Sequence, residues 1–124
     1  MKIRFQSSDM PGRDIWCPTA DVALAFIGTA ETFSHVYAVE SGVGEPVDGE
    51  CVIDFADFGA LSAAAVHRFS TSDQGILRSL SLGFIATSLV LIDRAGRPAP
   101  AMSGPDQERA WSALRDQHAR AMPV

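Results

Sequence analysis

The stretch Ser72–Gly96, SDQGILRSLSLGFIATSLVLIDRAG, constrains the fold more than any other part of the chain. At about 100° per residue, Ile76, Leu80, Phe84 and Leu91 share one helix face, and Leu82, Ala86, Leu89 and Val90 cover the opposite one. A helix that is apolar on all sides has to be buried in protein or in lipid. The uncharged run Ser79–Ile92 is shorter than a bilayer span, and Arg78, Asp93 and Arg94 close it off. The reading is therefore a central core helix over 72–95, with Leu82, Phe84, Ile85, Leu89 and Val90 largely buried. Gly75, Ser79, Gly83 and Thr87 recur every four residues along it. A row of small side chains lets a second helix come close. Glycine inside a helix costs about 1 kcal/mol relative to alanine, so Gly83 is expected to serve packing, against another helix of the same chain.

Around this stretch, 124 residues suffice for one domain, and a 47% hydrophobic fraction suffices for a core without disulfides. The net charge of −5 argues against nonspecific nucleic-acid binding and against docking on anionic lipid, both of which need a basic footprint. Cys17 and Cys51 are too few for a disulfide framework and are not spaced as metal ligands. No cofactor and no structural metal are expected. Met1–Gln6 has no apolar run behind its charges, so no signal peptide is read there and a cytoplasmic location is the expectation.

Taken in order, Ile3 and Phe5 alternate with Lys2, Arg4 and Gln6, the period of a half-buried strand. Asp9, Pro11 and Gly12 supply turn chemistry, and Asp14–Cys17 is a second strand ended by Pro18. Residues 1–18 thus read as an antiparallel hairpin that must lie on helices to be stable. Thr19 is a good N-cap for a helix over 19–41, with the stripe Val22, Phe26, Phe33 and Val36 or Tyr37. Ser41-Gly42 ends it. ECVID over 50–54 alternates as a short strand. Asp54 then caps a helix over 55–70, with Asp57 at the capping-box position and Phe58, Leu61, Ala65 and Phe69 as its buried stripe. Gly96–Gly104 is an extended connector, and Pro105 opens a last helix over 105–122. The fold class is α+β: one helix-rich domain of about four helices with a small antiparallel sheet.

Residues able to carry chemistry are scattered. Glu45, Asp48, Glu50, Asp54 and Asp57 lack the spacing of a calcium loop and read as a solvated acidic loop. His35 and His67 lie on polar faces of different helices, while His118 sits in an apolar stripe. Cys17 has no positioned histidine nearby and reads as a small buried hydrophobe. No serine sits in a Gly-x-Ser-x-Gly elbow, and Gly42-Val43-Gly44 is no phosphate loop. Trp16 and Trp111 are the largest side chains and the natural walls of a ligand pocket or an interface.

Three segments together resemble a family of small, uncharacterised actinobacterial proteins, a domain of unknown function. They are Ile15-Trp16-Cys17-Pro18 followed by the Val22/Phe26/Phe33 helix, Gly49-Glu50-Cys51-Val52-Ile53-Asp54 followed by a helix containing phenylalanine, and Gly83-Phe84-Ile85-Ala86-Thr87. The resemblance covers most of the chain and implies no activity, cofactor or catalytic residue.

Two functional readings follow. One is a non-enzymatic, acidic protein-interaction module that binds another protein or itself. In that case the last helix, with Trp111, Leu114, Arg115, His118 and Met122, is the homodimer interface, since Trp, Arg and Met are enriched at interfaces. The other is a small enzyme or small-molecule-binding protein of secondary metabolism. Its pocket would lie between hairpin and helices, lined by Trp16, Glu50, Asp54 and His118.

Overall fold

In the computed structural model, which describes residues 1–124, each change of hydrophobic period becomes a change of element. The order is β1 (Arg4–Ser7), β2 (Asp14–Trp16), α1 (Ala20–Tyr37), β3 (Glu50–Ile53), α2 (Phe55–Thr71), α3 (Gly75–Arg94) and α4 (Pro105–Ala119). The sheet order is β2-β1-β3. β2 runs antiparallel to β1, with Phe5 opposite Trp16. β3 runs parallel to β1, with Phe5 opposite Cys51. The α+β reading holds, but the sheet is mixed rather than antiparallel throughout. Parallel pairing needs a crossover of a dozen or more residues, and α1 with the loop after it supplies one. The hairpin turn is tied from within by Gln6: its amide donates to Asp14 Oδ1 at 2.8 Å and its Oε1 accepts from Gly12 N at 3.2 Å.

Phe26 of α1 is the hub of the core. Its ring meets Phe5 and Trp16 of the sheet edge-on, Phe58 of α2 at a steep tilt, and Phe84 of α3 nearly face to face. Cys51 and Ile53 of β3, and Phe58, Leu61 and Ala65 of α2, are fully enclosed. Asp54 caps α2 by accepting from Ala56 N at 2.9 Å and Asp57 N at 3.4 Å; Asp57 makes no return bond, so only half of a capping box forms. Gly42 lies against this cap. It has φ +71°, and a Cβ there would come within 2.3 Å of the Asp54 carbonyl oxygen. α1 ends earlier than its sequence suggests, at Tyr37, because Ala38 takes the left-handed conformation (φ 53°) and Val39 N returns to Ser34 O at 3.1 Å.

α3 divides into two halves. From Phe84 to Ile92 nearly every residue is buried. Before that, Ile76 is 76% exposed, Leu80 67% and Leu82 41%. The expectation of all-round burial, Leu82 included, is thus corrected: over the first turns only one side is covered, where Leu77 packs on the core and Arg78 lies over the Phe69 ring of α2, and the side carrying Ile76 and Leu80 is open. By length and composition α3 alone would suffice to cross a bilayer, but half of that apolar window lies inside the chain.

The C-terminus is anchored by Arg94, the last residue of α3. Its guanidinium donates to the carbonyls of Ile15 (2.9 Å), Ala119 (3.3 Å) and Met122 (2.8 Å). Cys17 N donates to Pro123 O at 2.9 Å, extending the β2 edge onto the tail. Burial lowers the Arg94 pKa from its ordinary value, with Asp93 acting against that shift.

Candidate functional site: the open face of α1 and α3

α1 and α3 each turn one uncharged stripe outward. On α1 it is Val22, Ala25, Thr29, Thr32 and Val36, spaced 3, 4, 3, 4. On α3 it is Ile76, Leu80, Gly83 and Thr87. A groove of about 430 Å³ runs between them, floored by Phe26 and Phe84 and closed at one end by Trp16, His118 and Met122.

The threonines make this face less polar than its sequence looks. Thr29 donates to Ala25 O at 2.7 Å, Thr32 to Gly28 O at 2.9 Å and Thr87 to Gly83 O at 2.9 Å. Each hydroxyl is satisfied by its own helix, the i−4 bond open to a helical threonine, which leaves the methyl groups free to make apolar contacts. Gly83 has no heavy atom within 4 Å of where a Cβ would stand. At Gly83 the small-residue row therefore meets no helix of the same chain, contrary to the expectation from its spacing; only its Thr87 end touches α4, through His118.

His118 holds the closed end. Its Nε2 lies 2.9 Å from Thr87 Oγ1. Because the Thr87 proton is committed to Gly83 O, the imidazole Nε2–H donates to the hydroxyl, which leaves Nδ1 as the basic nitrogen. Desolvation lowers the His118 pKa from its ordinary value. Trp16 Nε1 is buried with no hydrogen-bond partner.

The residues singled out for a ligand pocket are only half united. Trp16 and His118 line this groove. Glu50 does not: it pairs with Arg4 at 2.6 Å on the exposed side of the sheet. Asp54 is spent as the α2 cap. Most of the residues assigned to an α4 interface lie against their own chain. Trp111 is 5% exposed and packs edge-on against Phe69; Met122 is buried, and Leu114 packs on the same core. Arg115 bonds Asp116, and His118 bonds Thr87. The apolar stripe of α4 is narrow because it rests on α3 and α2 of its own chain. The α1 stripe is legible as a 3-4 spacing without charge; the periodicity places Val22 and Val36 in the core with Phe26, whereas both are exposed.

Burial disfavours the thiolate at both cysteines. Cys51 is enclosed, with Sγ 3.1 Å from Gly44 O, and burial pushes its thiol up to about 11. Burial, followed by the nearby Asp14, raises the Cys17 thiol. No group of three or more histidine, cysteine and acidic side chains gathers in a metal-binding arrangement.

No curated protein and no solved structure matches the chain. One family model does, over residues 1–124, and it is described as a family of unknown function, DUF6086. A match along the whole length places this protein in that family.

Proposed function

We propose that the protein is a non-enzymatic interaction module that pairs with a second copy of itself through the α1/α3 face. The observation that carries this reading is the pair of uncharged outward stripes on α1 and α3, with their three threonine hydroxyls satisfied internally. Small residues at Ala25, Thr29, Gly83 and Thr87 allow facing helices to approach closely.

Size supports a copy of the same chain. Helices of 18 and 20 residues are about 27 and 30 Å long, and each is about 10 Å wide. Side by side they present a corrugated strip of the order of the roughly 800 Å² per partner that a stable interface buries. Two such strips related by a two-fold axis form an isologous four-helix contact. The chain carries −5 overall, so two copies repel weakly, and the strip itself adds no like-charge pair.

Light scattering across micromolar concentrations tests this with Leu80→Glu and Thr29→Arg, both at solvent-accessible positions. The expected result is a dimer for the parent and a folded monomer for both variants. A parent that stays monomeric, or variants that dimerise like the parent, would overturn the reading.

A further inference from the structure

A second pocket, sharing no residue with the α1/α3 groove, opens between the C-terminal end of α3, the connector 95–104 and α4, and holds about 380 Å³. Its wall is apolar at Leu89, Ile92, Met102 and Trp111. Four charged side chains also line it: Arg97, Arg115, Asp93 and Glu108. Charges of both signs around an apolar wall are the general form of a small-molecule site with a few orienting polar groups.

These charges are incompletely used. Arg115 bonds Asp116 through Nε and Nη2 at 3.0 Å each. Its Nη1 reaches Asp93 only at 3.8 Å, beyond hydrogen-bond distance. Arg97 gives Nη1 to Asp9 at 2.8 Å and makes no other side-chain hydrogen bond, so the second guanidinium keeps donors in hand. Glu108 enters none of the five ion contacts of the chain. The exposed Arg97–Asp9 pair also bridges the connector to the hairpin turn.

We propose that this pocket binds a small zwitterion with an apolar side chain, of the α-amino acid type. Its carboxylate is held by Arg97 and Arg115, its ammonium by Asp93 and Glu108, and its side chain lies on Trp111. A plain anion of similar size meets two carboxylates without compensation, and a plain cation meets two guanidiniums. Only a molecule carrying both charges uses both pairs. A guanidinium presents paired donors to a carboxylate, which an ammonium cannot do.

The test is a ¹H–¹⁵N NMR titration of the full chain with L-phenylalanine, L-leucine, phenylacetate and phenethylamine. Saturable shifts are expected at the Trp111 indole N–H and the Ala99 and Ala101 amides with both amino acids. Phenylacetate and phenethylamine, each lacking one charge, are expected to bind at least about tenfold more weakly. Arg115→Met and, separately, Arg97→Met should weaken phenylalanine about tenfold, with the rest of the spectrum unchanged. The proposal is overturned by any of three results. These are no saturable shift at the pocket with either amino acid, phenylacetate or phenethylamine binding as tightly as phenylalanine, or both arginine variants binding like the parent.

Discussion

Arg94 shows how one side chain organises distant parts of the chain. Its donors satisfy carbonyls from β2, from the end of α4 and from the tail. Each charge-assisted bond is worth about 1.5–3 kcal/mol, and carbonyls left without donors cost more than the bonds contributed. Arg94→Met is expected to lower unfolding stability by about 2–4 kcal/mol in urea, with loss of hydrogen-exchange protection in residues 119–124. Arg94→Lys should restore only part, because an ammonium cannot span the fork that reaches three carbonyls. Phe84 acts by packing rather than by bonding. It is 4% exposed and meets Phe26, Phe33 and Phe58. Phe84→Ala should cost about 3–5 kcal/mol, the usual loss for deleting a core aromatic. An unchanged denaturation midpoint would remove Phe84 from the core.

At the scale of elements, α3 is one helix in two environments. Its second half is buried almost all round, and its first half is covered on one side only, with Leu77 on the core and Arg78 over Phe69, while Ile76 and Leu80 are exposed. Helix propensity should then decide the effect of substitutions in the first half. At Gly83 the backbone is helical and a Cβ meets nothing. Gly83→Ala is expected to raise protomer stability by about 1 kcal/mol, read as a higher denaturation midpoint at dilute concentration. A loss of stability there would mean that another part of the chain packs against Gly83 in solution. The threonines of the α1 stripe point the same way: they cap their own helix carbonyls instead of water, as suits a surface that another apolar surface covers.

At the scale of the molecule, His118 links α4 to α3 and couples the closed end of the groove to pH. Its folded pKa is lowered from 6.5, because burial disfavours the imidazolium. The unfolded chain therefore takes up its proton first as pH falls. The contribution of His118 is fully present above the unfolded value of 6.5 and is lost as pH drops from there toward the lower folded pKa. Denaturation midpoints measured between pH 7.5 and pH 5.5 should fall in the parent, and this component should vanish in His118→Gln. A midpoint that rises on acidification over this window would contradict the lowered pKa of His118.

The local code accounts for much of the architecture. Alternation at Ile3 and Phe5, the stripe Phe58-Leu61-Ala65, the Asp54 cap and the Pro105 start depend on neighbours within a turn or two, so element types were readable from the sequence alone. Strand direction was not. Whether ECVI joins β1 parallel or antiparallel depends on how α1 crosses over, a non-local matter. Burial along the apolar α3 segment was equally undetermined, since a helix hydrophobic on every side does not state which of its halves will be covered. Trp111 and Met122 carry the composition of an interface, and only the docking of α4 on α3 turned them inward. The two pockets belong wholly to the tertiary structure. Trp16 and His118 are about a hundred residues apart, and Arg97 and Arg115 are separated by a proline-containing connector. Sequence spacing within a helix fixes neighbours through backbone geometry, whereas these pairs meet only because helices pack, which no local pattern encodes.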